Sequence, residues 1–290
     1  MRYAVAVAET GHFGRAANAC GVSQPALSQQ IQGIEDLCGT PLFDRLRSGA
    51  RLTPFGSEFI ARARQVLDSA ESLTAFATHR AAHPTRPIRF GLIPTVAPYL
   101  LPDIYPALTR GLPGVDFIVS ENRTDALIAG LVDGSLDVAL IGTDPPDHGP
   151  RLTHRPLFED PFVLATSRDE AATAPVELSS LDPDRILLLD EGHCFRDQAI
   201  AACRLEHDPS SRTFAATSLS TIVEFVANGQ GVTLLPAIAL RKEATDRRIA
   251  IHSLISPGAG RLLSLVWREA TPFGATFEAM AALIAATRKP

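Results

Sequence analysis

The sequence predicts a protein of mixed architecture, in which an α-helical N-terminal part is joined to a C-terminal α/β part. Three observations support this α + α/β class. The first 50 residues contain short helical stretches that glycines separate. A continuous helical pattern of about thirty residues follows them. From residue 87 onward, short apolar strands alternate with helices, which is typical of parallel sheets with crossover helices.

The composition is that of a globular protein. Hydrophobic residues make up 46% of the 290 residues and charged residues 20%, proportions that disordered and disulfide-rich chains do not have. The longest apolar runs fall well short of the ~18 residues of a membrane span, and the N-terminal apolar run is too short for a secretory signal. We therefore expect a cytoplasmic protein with no membrane partner.

The net charge of −5 is unevenly distributed along the chain. Residues 1–84 carry a net charge of +1, whereas the remaining residues carry −6. Because nucleic acids bind local basic patches, the acidic total does not exclude DNA as a partner.

The N-terminal elements have the spacing of a helix-turn-helix. Helices are predicted over residues 2–9 and 14–20, and a third begins at Ser23, whose hydroxyl can cap it; Pro25 is tolerated in its first turn. The core behind these helices is predicted to contain Ala16, Ala17, Val22, Leu27 and Ile31, with Ile34 and Leu37 extending the apolar stripe. The polar side chains left facing outward are Ser23, Gln24, Ser28, Gln29 and Gln32.

An arginine-rich β-hairpin, or wing, is predicted after Gly39, and Thr53-Pro54 then begins a helix that runs to about residue 82. Apolar positions in this helix step by four and three residues from Phe59 to Ala77. Such a heptad-like seam indicates pairing with another helix. We therefore expect a DNA-binding domain over residues 1–53 and a linker or dimerisation helix over residues 54–86.

The α/β part is predicted to span residues 87–290, which suffices for two lobes. The proline-containing segment 83–87 breaks the long helix before it. Strands are predicted over residues 88–93, 115–119, 138–141, 162–166, 186–189, 232–235 and 262–267.

Two of the four cysteines lie in a short motif of the C-terminal part. The motif is Gly192-His193-Cys194-Phe195-Arg196-Asp197-Gln198, and Cys203 follows Cys194 by nine residues. Cys20 and Cys38 have apolar neighbours and are expected to be small core residues. The chain has no convincing zinc spacing, Walker loop or Rossmann fingerprint. We therefore expect no metal and no cofactor.

The N-terminal motifs resemble the DNA-binding domain of LysR-type transcriptional regulators. The resemblance lies in Phe13-Gly14-Arg15-Ala16-Ala17 and in Gly21-Val22-Ser23-Gln24-Pro25-Ala26-Leu27-Ser28, and residues 41–54 continue it. It implies a winged helix-turn-helix whose third helix enters the major groove of a double-stranded DNA operator. The residues it places at the DNA are Ser23, Gln24, Pro25, Ser28, Gln29, Arg45, Arg47 and Arg51.

The same resemblance implies further features of the whole protein. The C-terminal part would be a two-lobed regulatory domain resembling periplasmic binding proteins. The protein would form a homodimer that assembles to a homotetramer and would contact RNA polymerase.

The cysteine motif resembles the hydrogen peroxide-sensing branch of this family, and residues 91–102 and 216–219 extend the resemblance. It implies that Cys194 is the peroxidatic thiol, which peroxide oxidises, and that Cys203 is the resolving thiol, which then forms a disulfide with Cys194. The neighbours of peroxide that it implies are Thr95, Thr124, His193 and Arg196.

Thiol chemistry supports this interpretation independently. The thiolate attacks peroxide, yet a free thiol is mostly protonated at neutral pH. His193 and Arg196 are adjacent sources of positive charge or hydrogen bonds, and a following helix would direct its N-terminal dipole at the sulfur. Thr95 is the best candidate to orient peroxide, because a hydroxyl both donates and accepts.

Two other functions are compatible with parts of the sequence. A regulator of the same architecture could respond to a small organic effector bound between the lobes, with Thr95 at its carboxylate; the cysteine pair distinguishes the two. A thiol peroxidase or disulfide oxidoreductase would be an enzyme, and the helix-turn-helix argues against it. We therefore predict a transcription regulator and not an enzyme.

The spacing of the two cysteines predicts a structural change on oxidation. Nine residues of α-helix rise about 13.5 Å, whereas a disulfide requires Cα atoms roughly 4.4–6.8 Å apart. Pairing therefore needs either a compact loop that is already present or unwinding of residues 195–202. We favour unwinding.

Overall fold

The computed structural model describes residues 1–46, 49–77, 86–144, 151–170, 175–205, 216–255 and 259–288. Arg47 lies outside these residues, as does the side chain of Arg45. The chain divides into two compact units. The first contains residues 1–82 with 130–136 and 270–272, and the second contains residues 83–129, 137–269 and 273–290.

The first unit begins with three helices, as the sequence predicts. They are α1 (Arg2–Thr10), α2 (Phe13–Ala19) and α3 (Gln24–Cys38). The Ser23 hydroxyl accepts a hydrogen bond from the backbone N–H of Ala26 at 3.4 Å, and Pro25 lies in the first turn of α3. The buried core contains Ala4, Val7, Ala16, Ala17, Leu27, Ile31, Leu42, Phe43 and Ile60.

The expected continuation of this apolar stripe to Leu37 is wrong, because Leu37 is 89% exposed. With 3.6 residues per turn, the position that follows Leu27 and Ile31 on the same face is residue 35. Glu35 occupies it, and its carboxylate accepts hydrogen bonds from the backbone N–H groups of Leu42 and Phe43 at 2.7 and 3.2 Å. A buried carboxylate therefore holds the chain where it enters the wing.

Cys20 and Cys38 are only partly buried, contrary to the expectation of small core residues. The reason is their position: Cys20 follows the last residue of α2, and Cys38 is the last residue of α3. Both therefore lie at helix ends.

The wing and the long helix follow in the predicted order. Strands β1 (Phe43–Leu46) and β2 (Gly49–Leu52) pair antiparallel, and α4 (Pro54–Ala77) begins after Thr53, whose hydroxyl accepts from the Gly56 N–H at 2.9 Å. A Cβ atom at Gly56 would lie only 2.0 Å from the Leu42 carbonyl oxygen, so the close approach of α4 to the wing requires glycine.

The predicted seam of α4 is partly exposed. Ala63 is buried, whereas Val66 and Leu73 are 52% and 69% exposed. The predicted end of this helix, residues 78–82, lies outside the described residues.

The second unit is built on seven strands: β3 (Ile88–Leu92), β4 (Phe117–Glu121), β5 (Val138–Ile141), β6 (Leu152–Ser167), β7 (Thr233–Pro236), β8 (Ile249–His252) and β9 (Gly260–Arg268). Their order is β4-β3-β5-β9-β6-β7, and β8 also pairs with β6. The helices are α5 (Ala97–Gly111), α6 (Thr124–Asp133), α7 (Cys194–Cys203), α8 (Leu219–Ala227), α9 (Leu240–Glu243) and α10 (Gly274–Ala286).

The expectation of parallel sheets is right only around β3. Strand β3 pairs parallel with β4 and β5, whereas the pairings of β6 and β9 among the described strands are antiparallel. Strand β6 is long, and its two parts have different partners. Its first part pairs with β9, and its last part pairs with β7 and β8. This one strand therefore passes from the lobe that contains β3, β4, β5 and β9 into the lobe that contains β7 and β8.

Two local expectations also differ from the structure. Residues 186–189 form only isolated bridges, between Ile186 and Val232 and between Leu189 and Ala216, because short 3-10 turns precede them and α7 follows closely. The strand β8 was not predicted. Within the described ranges, no helix combines the length and the apolar character that crossing a bilayer requires.

We expect Glu35→Ala to destabilise the first unit by about 1–3 kcal/mol, because two buried backbone N–H groups lose their acceptor. Denaturant unfolding would measure the change. Asp36→Ala is the control, because Asp36 is an exposed carboxylate on the same helix that accepts only from the Gln32 side chain. Equal stability of the two variants would contradict this account of the wing.

Candidate functional site

Cys194 is the first residue of α7, with its sulfur at the positive end of the helix dipole, as the sequence predicts. It is partly buried and lines a small, tightly packed pocket. Four of the six predicted residues of the redox site are therefore brought together here. They are Thr95, Thr124, His193 and Cys194.

Three segments of the second unit supply these side chains. Thr95 lies in the turn between β3 and α5, and Thr124 is the first residue of α6. Gly192 and His193 precede α7 directly. The pocket is therefore assembled from segments that are separate in sequence, at the ends of a strand and of two helices.

The Thr95 side chain is fixed by a buried arginine. Arg261 Nη1 donates to Thr95 Oγ1 at 2.7 Å, and Nη2 donates to the Thr95 carbonyl oxygen at 3.0 Å. Because a guanidinium has no acceptor, Thr95 Oγ1 must be the acceptor in this contact. Its own hydrogen is then available to donate to a ligand in the pocket.

Arg261 is itself held by Asp160. Arg261 Nε donates to Asp160 Oδ2 at 3.0 Å, and both side chains are fully buried. The other carboxylate oxygen accepts from the Ile238 N–H at 3.1 Å. The guanidinium also lies over the Phe195 ring, 5.4 Å from its centroid, next to Cys194 in the chain. Arg261 therefore connects Thr95 with the first turn of α7.

Thr124 presents a second hydroxyl. Within the described part of the chain, its Oγ1 atom is buried and has no hydrogen-bond partner. A buried hydroxyl without a partner is costly, and a ligand that donates or accepts here would relieve that cost. Thr95 and Thr124 therefore contribute two hydroxyls to the lining of this pocket.

His193 is buried and neutral in character. Burial lowers the pKa of its imidazole, the nearby positive charge of Arg123 lowers it further, and Asp190 opposes the shift. At neutral pH the His193 ring is therefore an uncharged hydrogen-bonding group. The sequence had also allowed it to supply a positive charge. Arg123 supplies a positive charge among the residues that line the pocket.

Arg196 has a different environment from the one the resemblance implies. It is buried, its Nη1 donates to the Leu189 carbonyl oxygen at 2.6 Å, and it is absent from the described residues that line the pocket. It ties the first turn of α7 to the preceding segment.

Cys203 is the last residue of α7 and is buried. Because α7 is a continuous helix, the Cα atoms of Cys194 and Cys203 are separated by about 13.5 Å of helical rise. Burial raises the pKa of the Cys203 thiol to about 11. In this conformation Cys203 is therefore protonated at neutral pH and too far from Cys194 to form a bond.

Sequence reasoning missed Arg261, Asp160 and Arg123. The available signal was a single charge beside an apolar strand: Arg261 begins the apolar run of β9, and Asp160 precedes the apolar end of β6. Arg123 adjoins Thr124 in the chain. None of these positions indicates by itself which other segment it faces.

The predicted DNA-contacting residues lie on one helix and the wing. Gln24, Pro25 and Gln29 are exposed on α3, Ser28 is partly buried there, and Ser23 is its exposed cap. Arg51 is exposed on β2. In the described ranges, no cluster of three or more His, Cys, Asp or Glu side chains could hold a metal ion.

Comparison with known proteins agrees with this arrangement. Residues 1–57 match the bacterial regulatory helix-turn-helix proteins of the lysR family, and residues 81–289 match the LysR substrate binding domain. The hydrogen peroxide-inducible genes activator of Dickeya chrysanthemi is 36% identical over 283 residues, which cover 97% of this chain and 92% of the relative. The DNA-binding transcriptional dual regulator OxyR of Escherichia coli K12 is 36% identical over 288 residues, with 99% and 94% coverage.

Solved structures of similar proteins include two OxyR variants. Full-length OxyR from Pseudomonas aeruginosa with a cysteine-to-aspartate substitution has a TM-score of 0.85 and 35% identity, with 98% of this chain and 92% of that chain covered. A hydrogen peroxide-bound cysteine-to-serine mutant of Corynebacterium glutamicum OxyR has a TM-score of 0.67 and 33% identity, with 99% and 90% covered. The chain therefore belongs to the LysR family of helix-turn-helix regulators and, within it, to the OxyR group of hydrogen peroxide-inducible gene activators.

Proposed function

We propose that this transcription regulator senses hydrogen peroxide by oxidation of Cys194 and disulfide formation with Cys203, and that oxidation changes operator binding and transcription of oxidative-stress genes. It is a regulator and not an enzyme. The observation that carries the proposal is the shared pocket of Cys194, the Thr95 hydroxyl with a free hydrogen, and the unpartnered Thr124 hydroxyl.

The first step is attack of the Cys194 thiolate on one oxygen of hydrogen peroxide. A sulfur–oxygen bond forms and the oxygen–oxygen bond breaks. The second oxygen leaves as hydroxide and takes up a proton to become water, so the sulfur is oxidised to sulfenic acid while peroxide is reduced. The Thr95 hydrogen can donate to peroxide, and the N-terminus of α7 favours the negative sulfur.

The second step joins the two cysteines. The Cys203 sulfur loses its proton and attacks the Cys194 sulfur, which forms the disulfide and displaces hydroxide that leaves as water. Because α7 holds the two residues apart and burial keeps Cys203 protonated, the helix must unwind before this step. Residues 195–202 are therefore the two-state element of the switch.

The C-terminal end of α7 favours this change. Arg204 caps the helix with φ 52° and ψ 43°, and it is the one non-glycine residue of the described ranges with a positive φ. A side chain in this left-handed region costs about 1–2 kcal/mol. The helical state of α7 is thus weakened at its C-terminal end.

The N-terminal part supplies DNA binding in this proposal. Residues 1–53 would place α3 in the major groove and the wing arginines at the backbone, residues 54–86 would pair protomers, and residues 87–290 would sense peroxide. The exposed Val66 and Leu73 of α4 support a dimer, since a partner helix would cover them. Assembly to a tetramer, contact with RNA polymerase and action in the cytoplasm complete the proposal.

A small organic effector is less consistent with this pocket. The cysteine at the N-terminus of α7 would have no function in such a regulator.

The direct test is mass spectrometry of the protein before and after stoichiometric hydrogen peroxide. We expect a Cys194–Cys203 disulfide in the parent protein, a sulfenic acid at Cys194 in Cys203→Ser, and no rapid oxidation in Cys194→Ser, because an alcohol cannot replace a thiolate. Cys20→Ser and Cys38→Ser are the controls and should react normally. Full-rate oxidation of Cys194→Ser would refute the site.

Thr95→Val should slow sulfenic acid formation at least tenfold, because the donor that Arg261 orients is lost while the side-chain shape is kept. Thr95→Ser restores a hydroxyl and should retain most of the rate. Stopped-flow kinetics with hydrogen peroxide would compare them. The donor role is wrong if valine and serine give the same rate.

Arg204→Gly should slow disulfide closure roughly fivefold, since relief of about 1 kcal/mol of backbone strain stabilises helical α7. Sulfenic acid formation should not change, because Arg204 is remote from Cys194 along the helix. Arg204→Ala removes the charge but keeps the strain, so it should close at the parent rate. Equal closure rates for glycine and alanine would show that the strained cap does not influence unwinding.

Arg51→Ala should weaken DNA binding across sequences and reduce the slope of log K against log salt by about one, if Arg51 neutralises one phosphate. Arg155→Ala provides the control, because Arg155 is an exposed arginine of β6 paired with Glu278. Fluorescence anisotropy over a salt series would measure both slopes. An unchanged slope for Arg51→Ala would remove it from the DNA contact.

A further inference from the structure

We propose that Arg123 covers the thiol pocket and thereby restricts Cys194 to small peroxides, excluding bulky organic hydroperoxides. The inference rests on the proposed function, in which Cys194 reacts with peroxide, and it assigns the substrate class of that site. It makes Arg123 a specificity-determining residue.

Arg123 and the segment that carries the thiol lie far apart in the chain but line the same pocket. It precedes Thr124 at the start of α6, whereas Gly192, His193 and Cys194 belong to the segment that enters α7. All of these residues line the same pocket. The arginine therefore reaches from one wall to the other.

Arg123 packs directly on the backbone that precedes Cys194. A Cβ atom at Gly192 would lie 2.6 Å from Arg123 Nη1 and 3.2 Å from Cδ, so only a glycine leaves room for the guanidinium. Gly192 has φ +85°, a conformation that other residues rarely adopt. The backbone conformation at Gly192 thus permits the contact between Arg123 and the segment that precedes Cys194.

An acidic residue holds the guanidinium in place. Arg123 Nη2 lies 3.8 Å from Asp190 Oδ2, and Asp190 Oδ1 accepts from the Glu191 N–H at 2.8 Å. The side chains of Arg123 and Asp190 are 42% and 39% exposed, so the pair stands at the solvent side of the pocket. A partly exposed pair of this length is weak, which allows the arginine to move when a small ligand enters.

The other walls of the pocket cannot adjust in this way. Thr95 and His193 are buried, and Arg261 fixes Thr95. Among the described lining residues, Arg123 has the long flexible side chain that is partly exposed. In this proposal Arg123 is therefore the side chain that controls access to Cys194.

Size separates the two classes of peroxide. Hydrogen peroxide has two heavy atoms, whereas tert-butyl hydroperoxide has four carbon atoms in addition. With either reagent the sulfur takes one oxygen, the oxygen–oxygen bond breaks, and the other oxygen leaves with a proton as water or as the alcohol. The same bonds form and break in every variant, so a change in the ratio of the two rate constants between variants reports on access to the sulfur.

The experiment measures stopped-flow rate constants for Cys194 oxidation by hydrogen peroxide and by tert-butyl hydroperoxide. We expect Arg123→Ala to reduce the ratio of the two constants at least fivefold, through faster reaction with the bulky reagent. Arg123→Met keeps the length but removes the charge, and it should retain the parent ratio. Arg185→Ala is the matched control, because Arg185 is a 43% exposed arginine of the same unit paired with Glu170.

A second measurement does not depend on peroxide chemistry. Alkylation of Cys194 by iodoacetamide and by the larger N-ethylmaleimide, with the modified peptide identified by mass spectrometry, should show the same loss of size discrimination in Arg123→Ala. An unchanged alkylation ratio in Arg123→Ala would overturn the proposal that Arg123 covers the pocket. Loss of size discrimination in Arg123→Met would also overturn it, because the effect would then be due to charge. Absence of peroxide reactivity in the parent protein would instead contradict the proposed function. The alkylation ratio would still test whether Arg123 covers Cys194.

Discussion

The buried contact of Arg261 with Asp160 and Thr95 is the constraint on which the sensing pocket depends. A fully buried guanidinium is stable only when its donors are satisfied, and here one carboxylate, one hydroxyl and one carbonyl oxygen satisfy them. The same contact decides which way the Thr95 hydroxyl can donate. Because Asp160 lies in β6, the strand that passes between the lobes, the orientation of the pocket is tied to the lobe connection.

Helix α7 combines two opposing requirements. Its N-terminus must be formed, because the helix dipole favours negative charge on Cys194, and Arg261 stacks on Phe195 in its first turn. Its C-terminal half must be able to unwind, because Cys203 is otherwise out of reach. The strained cap at Arg204 lies at the end that has to change, whereas the well-packed contacts lie at the end that reacts. The helix is therefore well packed at the end that carries Cys194 and strained at the end that carries Cys203.

Much of the fold could be predicted from local pattern. The three N-terminal helices, the wing, the start of α4 and the strands β3, β5 and β9 follow from caps, turns and apolar runs. The failures have physical causes that involve distant residues. Glu35 lies at a core position because two backbone N–H groups of the wing need an acceptor there. The antiparallel pairings join strands that are far apart in the chain, so no local pattern indicates their direction.

The sequence by itself predicted the two cysteines proposed for the site and the helix that separates them. Local spacing carries that information, because Cys194 and Cys203 belong to one helix. Only the tertiary structure decided which residues share the pocket. Thr95, the consecutive residues Arg123 and Thr124, and Arg261, which contacts Thr95, come from three separate segments, and no local pattern states that they meet. Arg196 shows the converse, since it is only two residues from Cys194 in sequence but its guanidinium donates to the Leu189 carbonyl oxygen. The direction of a side chain depends on packing between segments that are distant along the chain.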